Sequence, residues 1–260
     1  MAFKFPPRPP LEGHRVYGSM ARANYTLEAH KHTEKLTRSH YRVAVANYPA
    51  VELDLSMLAA ASEVYQISPD PKDYIIVPIP IVTVGIPNRN LQAFPFEEVS
   101  MFDHTSGMLV YQTFLNKPLF VNHAHDNVPE SRGMHVDSSL EYIAKYGVWK
   151  INVITMWDRS KDPGLVRRIQ ENKESAFSMG SLCSAFLCSV CGKFVSPDAK
   201  QEHKNCDHQK KSTVGTLWGS EKRLAYSCIT GSNFFETSYI PIEDGQFPAD
   251  PTAMTPDVFA

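Results

Sequence analysis

The segment GVWKINVITMW at 147–157 alternates so strictly that Trp149, Ile151, Val153, Thr155 and Trp157 share one face of an extended chain. A period of two cannot be laid on a helix without scattering those side chains around it, so this stretch is a strand with at least one buried face. Further short β-branched and aromatic runs point the same way: HYRVAVA from 40, YIIVPIPIVTVG from 74, MLVYQTFL near 108 and KPLFV at 117–121, each bounded by polar or proline-containing turns. They predict a mostly antiparallel β architecture. Two helices interrupt it. In KDPGLVRRIQENKES, Asp162 can cap, Pro163 suits the first helical position, and Leu165 with Ile169 forms an i,i+4 apolar pair. VELDLSMLAAASEVYQ at 51–66 puts Leu53, Met57, Leu58 and Ala61 on one side of a second helix.

The 260 residues are 43% apolar, enough for a sizeable core, so disorder is not the default. A balance of 26 basic against 28 acidic residues excludes a general electrostatic attraction to nucleic acid or an anionic membrane. Residues 74–86 form the longest apolar run, which is too short to span a bilayer and is broken by Pro78 and Pro80; no membrane partner is expected. The first twenty residues hold Lys4, Arg8, Arg15 and four prolines but no continuous apolar run, which argues against a secretory signal. The expected organisation is an N-terminal arm over 1–39, open to removal, a domain over 40–240 with a metal-binding insertion at 187–211, and an irregular acidic tail over 241–260.

Three of the five cysteines fall within nineteen residues. Cys188, Cys191, Cys206 and His208 form Cys-x2-Cys-x14-Cys-x-His, with Gly192 directly after the first pair. Tetrahedral zinc takes four nitrogen or sulfur ligands, and a Cys-x-x-Cys turn offers two thiolates to one ion. The segment is rich in lysine and poor in apolar residues, so a structural Zn2+ ion would hold what packing cannot. His203 competes for the fourth position. A redox dithiol lacks a surrounding βαβ pattern, and no base-reading helix follows the second ligand pair, so no nucleic-acid partner is expected from the sequence.

A second chemical signal lies just upstream. Ser178 is followed by Met179 and Gly180, read as a turn whose amides could face a substrate carbonyl. A serine nucleophile needs a base and a group to orient that base, and His123, His125 and His135 cluster on the loop FVNHAHDNVPESRGMHVDSS.

The order of NKPLFVNHAHDNVPESRGMHVDSS, DRSKDPGLVRRIQENKESAFSMGSLCSAFLCSVCGK, NCDH and GSNFFETSYIPIEDGQFPADPTA resembles the prohead (head maturation) serine proteases of tailed bacteriophages, relatives of the herpesvirus assembly proteases. The resemblance spans about residues 85–253. It implies an α+β fold built on a mostly antiparallel β-barrel of that protease type, with packed helices and a zinc-knuckle insertion. It also implies His123 as base, with His125 as fallback, and Ser178 as nucleophile. A third member would come from the strand NFFETSYIP, which selects Glu236; Asp126, Asp137 and His135 are alternatives. The implied activity is cleavage of scaffold and major capsid precursor proteins, and of itself, by a homo-oligomer inside the assembling prohead in the bacterial host cytoplasm. The competing expectation is a catalytically silent structural or scaffold-binding zinc protein of the prohead.

Overall fold

The computed structural model describes residues 15–17, 40–43, 51–144, 146–171, 175–196 and 204–241. The proline-rich start of the expected arm, nearly all of the expected tail, and His203 lie outside the described residues.

The fold is α+β, with a curled six-strand sheet shaped as half a barrel and few helices. In chain order the strands are β1 (Arg15–Tyr17), β2 (His40–Val43), β3 (Val51–Asp54), β4 (Tyr74–Val84), β5 (Gln92–Ala93), β6 (Phe102–Asp103), β7 (Met108–Leu109), β8 (Pro118–Val121) and β9 (Gly133–Ile143). They continue as β10 (Val148–Asp158), β11 (Ser175–Leu182), β12 (Ala185–Cys188), β13 (Phe194–Val195), β14 (Leu217–Trp218), β15 (Arg223–Leu224), β16 (Ser227–Thr230) and β17 (Asn233–Pro241). The helices are α1 (Leu55–Tyr65), α2 (Phe96–Ser100) and α3 (Pro163–Gln170).

The main sheet runs β11-β17-β8-β9-β10-β4, with β1 added to β9, and every pair in it is antiparallel except β17 with β8. Pro78 and Pro80 are tolerated because β4 is an edge: proline has no amide to donate, and the side of β4 away from β10 requires none. The same prolines blunt that edge against pairing with another chain.

Both faces of β10 are buried, and for different reasons. Trp149, Ile151, Val153 and Trp157 enter the main core with Phe114, Phe177, Tyr239 and the α3 residues Leu165, Val166 and Ile169. Ile154 and Met156 enter a smaller cluster under α1, against Leu58 and Ala61. Each fully buried large apolar side chain contributes about 1.5–3 kcal/mol relative to exposure. The α3 start matches the sequence reading, since the Asp162 side chain accepts from the Leu165 amide at 2.8 Å.

Two expectations are corrected. The predicted helix over 51–66 begins only at Leu55, because Val51–Asp54 pairs with β2 and the Asp54 carboxylate caps the helix by accepting from Ser56 N–H at 2.8 Å. The apolar run near 108 is strand only at Met108–Leu109; Val110–Phe114 is a 3-10 turn that buries Val110, Tyr111 and Phe114, because a tight helical turn can bury a short apolar run as completely as a strand.

A smaller sheet, β13-β12-β16-β5, lies beyond the end of β11. The chain changes sheets at Cys183–Ser184, so the strand bearing Ser178 does not itself run into the Cys188 knuckle; a second strand, β12, does. Cys183 packs against the main core, where burial pushes its thiol up.

Candidate active site and metal centre

Three neighbouring strands supply the polar group around Ser178. On β17, Glu236 and Ser238 are two residues apart and share a face. Across on β11, Ser178 stands opposite Ser238 and Gly180 opposite Glu236, so all four share that face, while Phe177, Thr237 and Tyr239 take the other. On the far side of β17, β8 runs parallel and pairs Val121 with Tyr239.

After Val121 the chain folds back. Asn122 and His123 both adopt left-handed backbone, with φ of 53° and 55°. Two contacts with β17 hold this turn: Asn122 N–H donates to the Tyr239 carbonyl at 3.0 Å, and His123 N–H donates to Ser238 Oγ at 3.1 Å. The reversal carries the His123 ring back over the sheet, where Nδ1 meets Glu236 Oε1 at 2.7 Å. A carboxylate can only accept, so Nδ1 carries the proton and Nε2 presents its lone pair. Glu236 is fully buried, whereas the His123 side chain is 38% exposed, so the imidazole is both held and reachable.

Gly180 makes room for this pair. A Cβ there would lie 2.6 Å from Glu236 Oε1 and 2.5 Å from Phe235 Cζ. A bulge between Gly180 and Ser181 leaves Phe235 without a cross-strand partner and turns its ring to the same side as Glu236. The sequence expectation of a Ser-Met-Gly turn is therefore corrected: Ser178 to Gly180 is regular strand, and the glycine serves close approach rather than reversal.

Ser178 is half-buried, and its hydroxyl makes no hydrogen bond among the described residues. It lines a cleft between the two edges of the curled sheet: Phe177, Ser178 and Met179 on β11 face Ile81, Val82 and Thr83 on β4, with Gln92 and Phe94 at one end. His123 and Glu236 lie outside this lining.

The alternatives fall elsewhere. His125 is exposed, with Nε2 3.7 Å from Asp126 Oδ1 and its ring edge against Phe235. Asp126 is fully exposed. Asp137 accepts from the Ser138 amide. His135 is wholly buried on the other face, donating from Nδ1 to the Lys117 carbonyl and accepting at Nε2 from Thr237 Oγ1, both at 2.9 Å. Burial pulls its pKa down to about 4, so it is a neutral core histidine.

No family model, curated protein or solved structure matches this chain.

The second centre brings Cys188, Cys191, Cys206 and His208 together, with all four ligand atoms within 4.8 Å of one another, a group able to hold a metal ion. Cys188 closes β12. The Gly192 amide then donates back to the Cys188 carbonyl at 2.8 Å, with Gly192 at φ +70°, which is the tight reversal that the glycine permits. Cys206 precedes a 3-10 turn, Asp207–Gln209, whose His208 puts Nδ1 3.7 Å from Cys188 Sγ. Zinc bonds of about 2.0–2.3 Å in a tetrahedron put ligand atoms roughly 3.5–3.8 Å apart, which the Cys188–His208 separation meets. The Trp218 indole stands edge-on to the His208 ring at 4.5 Å and fixes its plane.

The thiols of this group are unequal. Burial pushes Cys188 up, but the Cys191 and Val190 amides and the Gln209 side chain outweigh it and leave the thiol below its usual range. Burial, then hydrogen bonds with Cys191 and Cys188, push Cys206 up to about 12. A metal ion among these sulfurs would offset the mutual repulsion of closely spaced thiolates. Behind them Gln209 donates to the Tyr226 carbonyl and accepts from Ser227 Oγ, tying the centre to β16.

Sequence reasoning missed Ser238 and the true role of Gly180. Ser238 belongs to no motif and reads as an ordinary strand residue; only its register opposite Ser178 reveals it. Among the described residues, no helix is long and apolar enough to cross a membrane.

Proposed function

We propose that this protein is a serine endopeptidase in which Ser178 is the nucleophile, His123 the base and Glu236 the residue that orients it. The observation that carries this reading is the 2.7 Å contact between His123 Nδ1 and the buried Glu236 carboxylate, on the sheet face that also bears the half-buried Ser178. His123 Nε2 would take the Ser178 proton as Oγ adds to the scissile carbonyl carbon. The same nitrogen would then protonate the leaving amine, and a water deprotonated by His123 would hydrolyse the acyl-enzyme. Edge strand β11 points alternate amides away from β17, which supplies donors for the oxyanion and for an extended peptide in the cleft.

The motif order of the sequence supports placing the activity among prohead maturation proteases, with scaffold and capsid precursors as substrates and self-cleavage of the chain itself. It further supports a homo-oligomer confined to the prohead of a tailed phage in its bacterial host. The barrel-like curl of the main sheet is compatible with that protease type. The metal in our reading is zinc in a structural role, since four nitrogen and sulfur ligands leave no open position for water. A second reading, a silent scaffold-binding zinc protein, is favoured by one observation: the Ser178 hydroxyl makes no hydrogen bond to His123.

Co-expression with the scaffold protein encoded alongside it, followed by intact mass, separates the two. Discrete fragments with the wild type and none with Ser178→Ala establish the protease. Whole chains in both cases, under assembly conditions, establish the silent protein.

A further inference from the structure

Ser238 is wholly buried on β17 and makes two hydrogen bonds with a single hydroxyl. Its proton goes to Glu236 Oε2 at 2.7 Å, and its oxygen accepts the main-chain N–H of His123 at 3.1 Å. With the ring contact to Glu236 Oε1 at 2.7 Å, these bonds close a loop that leaves His123 through its backbone and returns through its imidazole.

We propose that Ser238 is the positioning residue of the site, setting the His123–Glu236 pair by holding both partners at once. The proposal rests on the endopeptidase reading and deepens it. Three consequences follow from the geometry.

The carboxylate is the first. Glu236 has no solvent exposure, and a buried carboxylate oxygen without a donor is costly. Ser238 satisfies Oε2 and so fixes the rotation of the carboxylate that aims Oε1 at the ring.

The second concerns the backbone. Asn122 tolerates the left-handed region, but His123 costs about 1–2 kcal/mol there, so the turn, closed by the Ala124 N–H donating to the Val121 carbonyl at 3.2 Å, is further held in place by β17. One of its two grips is the Ser238 hydroxyl.

The third concerns the choice of nucleophile. Ser238 and Ser178 face each other across the strand pair, yet the Ser238 proton is already committed to Glu236. Ser178 is left as the unengaged hydroxyl of the two.

The test compares Ser238→Ala and Ser238→Thr with the wild type by steady-state cleavage, by thermal midpoint, and by NMR of the His123 ring. We expect Ser238→Ala to lower kcat by about 10–100-fold, on the order of what a metal-bound histidine loses with its outer hydrogen-bond partner, with KM within about 2-fold. The His123 Nδ1–H resonance, shifted downfield by the carboxylate in the wild type, should broaden into exchange with water. Ser238→Thr, which keeps the hydroxyl, should restore both. Unchanged kcat and an unchanged ring resonance in Ser238→Ala overturn the proposal. If Ser238→Ala does not fold, amide exchange of the wild type decides: a protected His123 N–H supports the clamp and a fast-exchanging one refutes it. If the wild type cleaves nothing, the endopeptidase reading fails by itself, and the ring resonance and its loss in Ser238→Ala still decide whether Ser238 sets the pair.

Discussion

Gly180 sits beneath Glu236 so closely that a single added methyl would lie 2.6 Å from Oε1, the oxygen that holds His123. Both obstructing groups are side-chain tips, so the strand can survive the addition, but the carboxylate cannot keep its aim. Gly180→Ala should therefore cost about 1–3 kcal/mol of stability while lowering kcat at least 10-fold, because overpacking falls on the group that orients the base. Thermal midpoints and steady-state kinetics on the same preparation check this; full activity in the variant would contradict it.

Glu236→Gln keeps the shape of the side chain and removes its charge. The amide can then offer His123 either an oxygen or an NH2, and the second choice turns the imidazole to the wrong tautomer. Cleavage should fall by about 10³–10⁴-fold with little loss of fold, as expected when the orienting acid of such a group is made neutral. Near-ultraviolet circular-dichroism melting and initial-rate assays together measure both quantities.

The metal centre reaches the cleft by a continuous route. Gln209 joins the Cys188 knuckle to β16, β16 pairs in parallel with β5, and Gln92 of β5 lines the cleft beside Ser178. Removing the metal by chelation should lower the melting temperature by roughly 6–16 °C, the equivalent of about 3–4 kcal/mol for an ion present at 100–1,000 times its Kd. It should also raise KM more than it lowers kcat, since the cleft wall moves while His123 and Glu236 do not. Elemental analysis should give one zinc per chain, and Cys206→Ser should mimic chelation.

Acid should unfold the protein partly through His135. Its pKa of about 4 lies below the roughly 6.5 of an unfolded histidine, so between those values the unfolded chain binds a proton that the folded one refuses. Stability is then complete above about pH 6.5 and falls as the pH drops toward 4, by on the order of 3 kcal/mol for this one group. Urea midpoints measured from pH 7 to pH 4 should decline less steeply in His135→Gln, and parallel declines would show that His135 is not the cause.

Much of the architecture was legible because it rests on local periodicity. The alternation at 147–157 names β10, and Asp162 with Pro163 names the start of α3. The cysteine spacing names the metal group, because a knuckle is a local structure whose ligands lie close in sequence. His123, Ser178 and Glu236 could be nominated from the resemblance. The contact of His123 with Glu236, on the sheet face that Ser178 shares, could not, because it depends on the strand order β11-β17-β8, on a bulge at Phe235 and on two left-handed residues after Val121. No composition rule announces any of those. Ser238 was silent for the same reason: a buried serine in a strand acquires a role only through register. The run at 108–115 misled because short apolar segments are equally at home in a strand and in a buried turn.

The most direct measurement of the central claim is covalent labelling with a fluorophosphonate, which reacts with a serine hydroxyl only when a neighbouring base activates it. The account predicts one adduct per chain, mapped by peptide mass to Ser178, and abolished in His123→Ala and in Ser178→Ala. No adduct on the folded, metal-loaded protein, or an adduct on Ser238, would contradict it.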